Sequence, residues 1–208
     1  MTKFEKTSSF TRRSVLLGAG ALVVSVGAAV SLDTMLSINE AFAQDAKPPL
    51  TPDQLSSYVA VNADGSVAAY FGKMDMGHGL HVAIGQIVAE ELDVPFKSVK
   101  VIMGDTATSV NQGGASGSTG IQEGGRQMRM AAAEARRVLL EMAAEKLSAP
   151  ADTLVVNEGA VSTSPVAAKR VTYAELIGGR YFNVQLDWNK KYGNPLYASG
   201  KAQPKKPS

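Results

Sequence analysis

From Gly72 to Leu147 a glycine turn, a helix-spaced run, an alternating run, a Gly/Ser loop and a long Ala-rich run follow without a break. Gly77 and Gly79 flank His78. Two glycines around one side chain permit positive φ and a close approach of the backbone to something outside the chain. From Leu80, the residues Ile84, Ile87, Val88 and Leu92 recur at helical spacing, so a helix is expected to run to about Asp93, where Pro95 stops it. Val99, Val101 and Met103, interleaved with Lys100 and Ile102, read as a strand ending at Gly104. Residues 105–121 are rich in Gly, Ser, Thr and Asn and have no apolar period. A loop of that length inside a domain is usually functional or mobile. Gln122 to Leu147 then reads as one long helix, with Met128, Ala131, Ala132, Ala135, Val138, Leu139 and Met142 on its apolar face.

The flanks support this stretch. Residues 58–62 and 66–71 alternate around Ala63, Asp64 and Gly65, and Asp-Gly between such runs predicts a hairpin. A second hairpin is expected over 153–163, across Glu158 and Gly159. Thr172 and Glu175 have the spacing of a capping box on a short helix to Ile177. The expected fold is therefore α+β, with long helices packed on short mixed strands and hairpins. The expected domain segment is 58–180, preceded by a Pro-containing linker at 44–57. An irregular basic tail is expected at 181–208, with Trp188 in it as a packing anchor.

The first 43 residues read as an address. Arg12 and Arg13 stand directly before an apolar run from Val15 to Leu32, and Ala41, Phe42 and Ala43 place small residues at the two positions a signal peptidase reads. The pattern reads as a cleavable twin-arginine-type export signal rather than an uncleaved membrane anchor, which predicts a periplasmic location and no stable membrane span once it is removed. Without it the net charge falls from +2 to about +1, too balanced for a nucleic-acid binder. The absence of cysteine excludes disulfides, a Cys-based zinc site and a Cys-ligated iron–sulfur cluster on this chain.

Residues 113–120 read GGASGSTG. Backbone N–H groups freed by glycine, serine hydroxyls and a following helix N-terminus together make a candidate anion cradle, for which pyrophosphate is a natural guest. The composition serves a flexible surface loop equally well. Neither the dinucleotide fingerprint GxGxxG nor a Walker loop is present there. His78 and His81 form an HxxH pair without the further ligands a metal needs. Glu90 and Glu91 read as solvent-facing helix residues able to pair with an arginine. Arg126, Arg129, Arg136 and Arg137 read as a set as a charged helix face, with Arg126 and Arg129, nearest the Gly/Ser loop, the better phosphate candidates.

Taken in order, the segments MDMGHGLH (74–81), QIVAEEL (86–92), GDT (104–106), GASGS (114–118), Gly125 and AAAEAR (131–136) carry a resemblance. Over about residues 58–177 the chain resembles the large subunit of the xanthine dehydrogenase/aldehyde oxidase family, the molybdenum hydroxylases. It is most similar to the isoquinoline 1-oxidoreductase and nicotinate dehydrogenase branch, which shares the twin-arginine signal. The resemblance implies that Met76, Gly77, His78 and Gly79 match the family's pterin-binding turn, with His78 where the family has Gln. It also implies that Gly114, Ala115, Ser116, Gly117 and Ser118 match the turn that holds the pterin and its phosphate. The cofactor implied is molybdopterin with molybdenum, in the cytosine dinucleotide form usual in bacteria.

The family's Gly-Gly-Gln segment beside the metal and its Gly-x-Gly-Glu segment, which carries the catalytic glutamate, have no match in this sequence. The resemblance therefore implies an N-terminal segment of a longer or split subunit, inactive alone. The remainder of the large subunit would come from another chain, with a 2Fe-2S small subunit and a cytochrome c taking the electrons. The whole enzyme would oxidise an aldehyde or an N-heterocycle with water as oxygen source. A truncated binding or assembly module that keeps the fold without the cofactor is the rival expectation. Either way, an apolar face left for a missing remainder predicts marginal stability or obligate association.

Overall fold

A three-stranded sheet with one parallel pair sets the geometry. The computed structural model describes residues 42–164, 169–188, 198–199 and 202–206. Strand β1 is Ala43–Gln44, β2 is Val59–Val61 and β3 is Val67–Phe71. The helix α1 spans Leu80–Leu92, and β4 spans Val99–Met103. A π-helical turn over Gly120–Gly125 leads directly into the helix α2, Arg126–Leu147. Then come β5 (Val155–Asn157), β6 (Ala160–Ser162), β7 (Arg170–Thr172), the short helix α3 (Tyr173–Ile177), β8 (Tyr181–Phe182), β9 (Asp187–Trp188) and β10 (Ala198–Ser199).

The expected α+β class is the one observed, and the hairpins fall where alternation placed them. β2 and β3 pair antiparallel, Val59 opposite Ala69 and Val61 opposite Val67, across a turn in which Asp64 accepts from the Ser66 N–H. β3 and β4 pair parallel, from Val67 opposite Val99 to Phe71 opposite Met103. Parallel strands need a long crossover, and α1 is that crossover. β5, β6 and β7 form a second, antiparallel sheet. The predicted capping box closes around Thr172 and Glu175.

Both long helices pack on each other, and α1 also packs on β4. The core between them and the sheet holds Phe71, Ile84, Val88, Leu92, Met128, Ala131, Ala135 and Leu139, all buried. Ala131, Ala132 and Ala135, expected on the apolar face of α2, are buried. The helix enters through the π-helical turn rather than at Gln122, and Gly124 of that turn lies against Phe71. A Cβ on Gly124 would stand 2.6 Å from the Phe71 ring.

Two expected boundaries differ from the structure. The stretch expected as a linker, 44–57, contains a buried 3-10 turn, Leu55–Ser57. The Leu55 side chain enters the core, its N–H donates to the Val184 carbonyl, and Ser56 donates to the Phe182 carbonyl. The prolines there shape the path of the chain, while Leu50 and Leu55 supply the apolar surface that fastens it.

The segment expected as an irregular tail, 181–208, is also fastened where it is described. Phe182 and Leu186 are buried, and β8 pairs with β1, Phe182 opposite Ala43. Ala202 donates its N–H to Glu134 Oε2 at 3.0 Å. The backbone of Lys205 donates to Glu91 at 3.0 and 3.2 Å, while its ammonium reaches the Glu90 carbonyl and Asp93. Acceptors on buried carboxylates hold a segment that has little apolar surface of its own.

The export signal lies outside the described residues except at its end, where Ala43 is buried in the pair with Phe182. The Trp188 side chain is likewise outside them. Among the described residues no helix is long and apolar enough to cross a membrane.

Candidate functional site

Because β3 and β4 run parallel, Phe71 and Met103 end at the same edge, and the loops that follow leave from one place. Loops at the carboxyl ends of parallel strands are where α/β-type units receive ligands. The first loop, 72–79, carries the glycine turn before α1. The second, 104–119, carries the Gly/Ser turn before the π-helical entry to α2.

Several contacts join the two loops. The Gly72 N–H donates to Gln112 Oε1 at 2.6 Å. A Cβ on Gly72 would lie 1.8 Å from the Val110 carbonyl oxygen, so the second loop rests directly on the glycine backbone. The adjacent Lys73 is buried, and its ammonium donates to the Gly114 carbonyl at 2.7 Å and to the Thr119 hydroxyl at 3.3 Å. Burial lowers the Lys73 pKa, with Glu123 pulling the other way. The single Thr119 hydroxyl proton is shared between the carbonyls of Gly114 and Ser116, closing the Gly/Ser turn on itself. Leu80, at the start of α1, lies 3.1 Å from where a Gly120 Cβ would be. The 76–79 and 114–118 motifs thus stand on neighbouring, mutually fastened segments.

The first turn is organised by Asp75. One carboxylate oxygen accepts from the N–H groups of Gly77 and His78, at 2.9 and 3.0 Å. The other takes the His81 N–H at 3.1 Å and lies 2.7 Å from His81 Nδ1. The His81 ring is the largest influence holding the Asp75 carboxyl well below the usual carboxylate range, followed by its backbone N–H and those of Gly77 and His78. Gly77 and Gly79 adopt φ of 95° and 75°, and nothing lies within 4 Å of where their Cβ atoms would be. The His78 and His81 rings are exposed, and His78 Nδ1 accepts from the Met76 N–H at 3.3 Å. Met76 is 80 % exposed and Met74 57 %, unusual for residues of this size and polarity.

The second turn is open as well. Gly117 and Ser118 have φ of 64° and 61°, and a Gly117 Cβ would meet nothing within 4 Å. Gly114, Ser116, Gly117 and Ser118 are exposed and Ala115 is half-buried. Among the described residues, the Ser116 and Ser118 hydroxyls donate to no protein acceptor. Exposed N–H and O–H donors on left-handed turns suit a polar, anionic guest. This donor set fits a pterin–phosphate ligand.

The arginines sort differently from expectation. Glu91, expected to face solvent, is fully buried between α1 and α2, with Arg129 Nε 3.3 Å and an Arg136 nitrogen 3.6 Å away. Arg129 pairs with that carboxylate by charge, without a hydrogen bond from Nε. Arg126 is exposed on the first turn of α2. Glu134 is buried too, gripped by Arg137 at 2.6 Å. The HxxH pair gathers no acidic or histidine cluster fit for a metal among the described residues.

Reading the sequence missed Lys73, Asp75, Gln112 and Thr119. Asp75 lies four residues before the N-cap Gly79, outside the local capping pattern. Lys73 and Gln112 act across about 40 residues and left no local trace.

A family model described as molybdopterin cofactor-binding domain matches residues 6–207. A nicotinate dehydrogenase subunit of Pseudomonas putida is 34% identical over 165 residues, 79% of this chain and 14% of that protein. The beta chain of isoquinoline 1-oxidoreductase of Brevundimonas diminuta is 29% identical over 183 residues, 83% of this chain and 22% of that protein. The crystal structure of quinoline 2-oxidoreductase from Pseudomonas putida 86 superposes with a TM-score of 0.52 at 28% identity, covering 58% of this chain and 15% of that one. The Cu,Mo-CO dehydrogenase gives a TM-score of 0.51 at 25% identity over 57% of this chain and 15% of that one. This chain therefore spans between about a seventh and a quarter of the length of these relatives. With its fold and its paired loops, the chain belongs to the molybdopterin cofactor-binding domain family of the molybdenum hydroxylases.

Proposed function

We propose that this chain supplies one wall of the molybdopterin site of a molybdenum hydroxylase, in the cytosine dinucleotide form of the cofactor. The observation that carries this reading is the fastening of the two glycine turns by Lys73 and Gly72 at the carboxyl ends of β3 and β4. Met76, Gly77, His78 and Gly79 would face the pterin with backbone N–H groups and the His78 ring. Gly114 to Ser118 would receive the phosphates through the Ser116 and Ser118 hydroxyls and the N–H groups of the turn. When bound, the cofactor supplies the two-electron redox chemistry that oxidises an aldehyde or an N-heterocycle with oxygen from water. The residues of this chain bind and orient it.

The same reading assigns the catalytic glutamate to the remainder of the large subunit. A 2Fe-2S subunit and a cytochrome c would carry the electrons onward, and this chain alone would be inactive. The exposed Met74 and Met76 beside the site are consistent with a surface that another part of the assembly covers. Export through the twin-arginine route would place the assembly in the periplasm, as the Arg12–Arg13 pair suggests.

Affinity purification of the chain from its own host, with molybdenum analysis and release of CMP by mild acid, tests the reading. Molybdenum and CMP in proportion to the chain, together with a larger companion chain, are expected. A companion with neither molybdenum nor CMP would overturn it in favour of an assembly module.

A further inference from the structure

We propose that Gln112 and Gln127 are positioning residues that hold the Gly/Ser turn in register with the glycine turn before α1. This inference rests on the cofactor-wall reading above. Both side chains are buried. Gln112 accepts from the Gly72 N–H through Oε1 at 2.6 Å and donates from Nε2 to Gln127 Oε1 at 2.5 Å. The chain of contacts therefore runs from the first turn of α2, through the second loop, to Gly72, the residue that follows β3. Gly72 and Lys73 grip the second loop at two points two residues apart, Gln112 by the amide and Gly114 by the ammonium. Two fastenings fix a direction where one would fix only a distance. They set which way residues 114–118 face relative to residues 76–79.

The geometry separates positioning from bulk stability. Buried amides are unfavourable unless bonded, and the Gln127 Nε2 group has no hydrogen-bond partner among the described residues. An apolar residue of the same length at 127 removes that unpaired donor together with the acceptor that Gln112 uses. The first change stabilises, the second destabilises, and the net effect on unfolding is small. Gln112, however, loses the acceptor for its Nε2 group, and the Gly72 N–H is then left to orient its amide. Its hold on Gly72 weakens, and of the two hydrogen-bonded fastenings only that of Lys73 is left intact.

The test compares the full chain with Gln127→Met and Gln127→Glu by backbone amide NMR, thermal unfolding and titration with cytidine 5′-diphosphate. Gln127→Met is expected to move the amide signals of Gly72 and residues 113–118 and leave those of β5 and β6 in place. It should shift Tm by only a few degrees and require at least about fivefold more cytidine 5′-diphosphate for the same response at Gly77 and Gly117. Gln127→Glu keeps the acceptor and is expected to restore the loop signals. If Gln127→Met is poorly folded, Gln112→Asn, which draws the amide back by one methylene, serves with the same readouts.

Loop signals and nucleotide response like those of the parent chain in the folded variant would overturn the inference. A parent chain that ignores the nucleotide, while Gln127→Met still moves both turns, would sustain the positioning role and count against the cofactor-wall reading.

Discussion

The Lys73 ammonium donates to the Gly114 carbonyl at 2.7 Å, joining the bend after β3 to the Gly/Ser turn across 41 residues of chain. Lys73→Met keeps most of the volume and removes the charge-assisted bonds to Gly114 and Thr119. Hydrogen bonds to charged groups contribute about 1.5–3 kcal/mol. The desolvation that lowers the Lys73 pKa works against the full figure. The expected loss is about 1–2 kcal/mol, read from the midpoint shift in urea with the slope unchanged. Because Thr119 still donates to Gly114, the turn should loosen rather than unfold. An unchanged midpoint together with unchanged exchange at residues 114–118 would remove Lys73 from the account.

The Asp75 carboxylate predicts an acid-sensitive turn. Its pKa is depressed in the folded chain, so its contribution is complete above the unfolded value of about 3.9 and is lost as pH falls through the lower folded value. The groups facing it are His78 and His81 with the N–H groups of 77, 78 and 81. As pH falls below about 4 and on through the lower folded value, the amides of Gly77, His78 and His81 should lose protection before the core strands do. In Asp75→Asn that acid step should vanish. A step of the same size in Asp75→Asn would assign it elsewhere.

How much of this was legible follows from which contacts are local. The Asp64 turn, the α1 period ending at Asp93 and the Thr172–Glu175 box are written within a few residues of one another, and the structure has them. The burial of Leu55 and of residues 181–186 was obscured by the prolines and polar residues around them. Glu91 was misread because its neighbours on α1 look amphipathic, while its partners Arg129 and Arg136 lie on another helix. At the site, the two glycine turns stood out by composition. Their fastening through Gly72, Lys73 and Gln112 depends on β3 and β4 being parallel neighbours, which periodicity alone does not encode.

Two glycines of the same loop should respond differently to alanine. At Gly72 the new Cβ would stand 1.8 Å from the Val110 carbonyl oxygen, a backbone atom that cannot rotate aside. Gly72→Ala should cost about 3 kcal/mol or more, above the usual range for overpacking. At Gly77 there is open space, and only the positive φ of 95° resists a side chain. Gly77→Ala should therefore cost about 1–2 kcal/mol. Chemical denaturation of both variants checks the ranking, and a Gly77→Ala as damaging as Gly72→Ala would mean that the first loop is not open.

The buried Glu91 joins three parts of the chain: α1, which carries it, α2 through Arg129 and Arg136, and the 202–206 segment through the Lys205 N–H. Removing one partner of a buried ion pair costs about 3–5 kcal/mol when the other is left without compensation. Here the two arginines are partly exposed and can turn to water, so Glu91→Gln should lie at or below that range, about 2–3 kcal/mol. The local response is more telling than the total. Lys205 loses its carboxylate acceptor, whereas Ala202 keeps Glu134 at 3.0 Å. Amide exchange in Glu91→Gln should therefore accelerate at Lys205 well beyond the change at Ala202. Equal acceleration at both would mean that the segment leaves as one piece and that Glu134 contributes little to holding it.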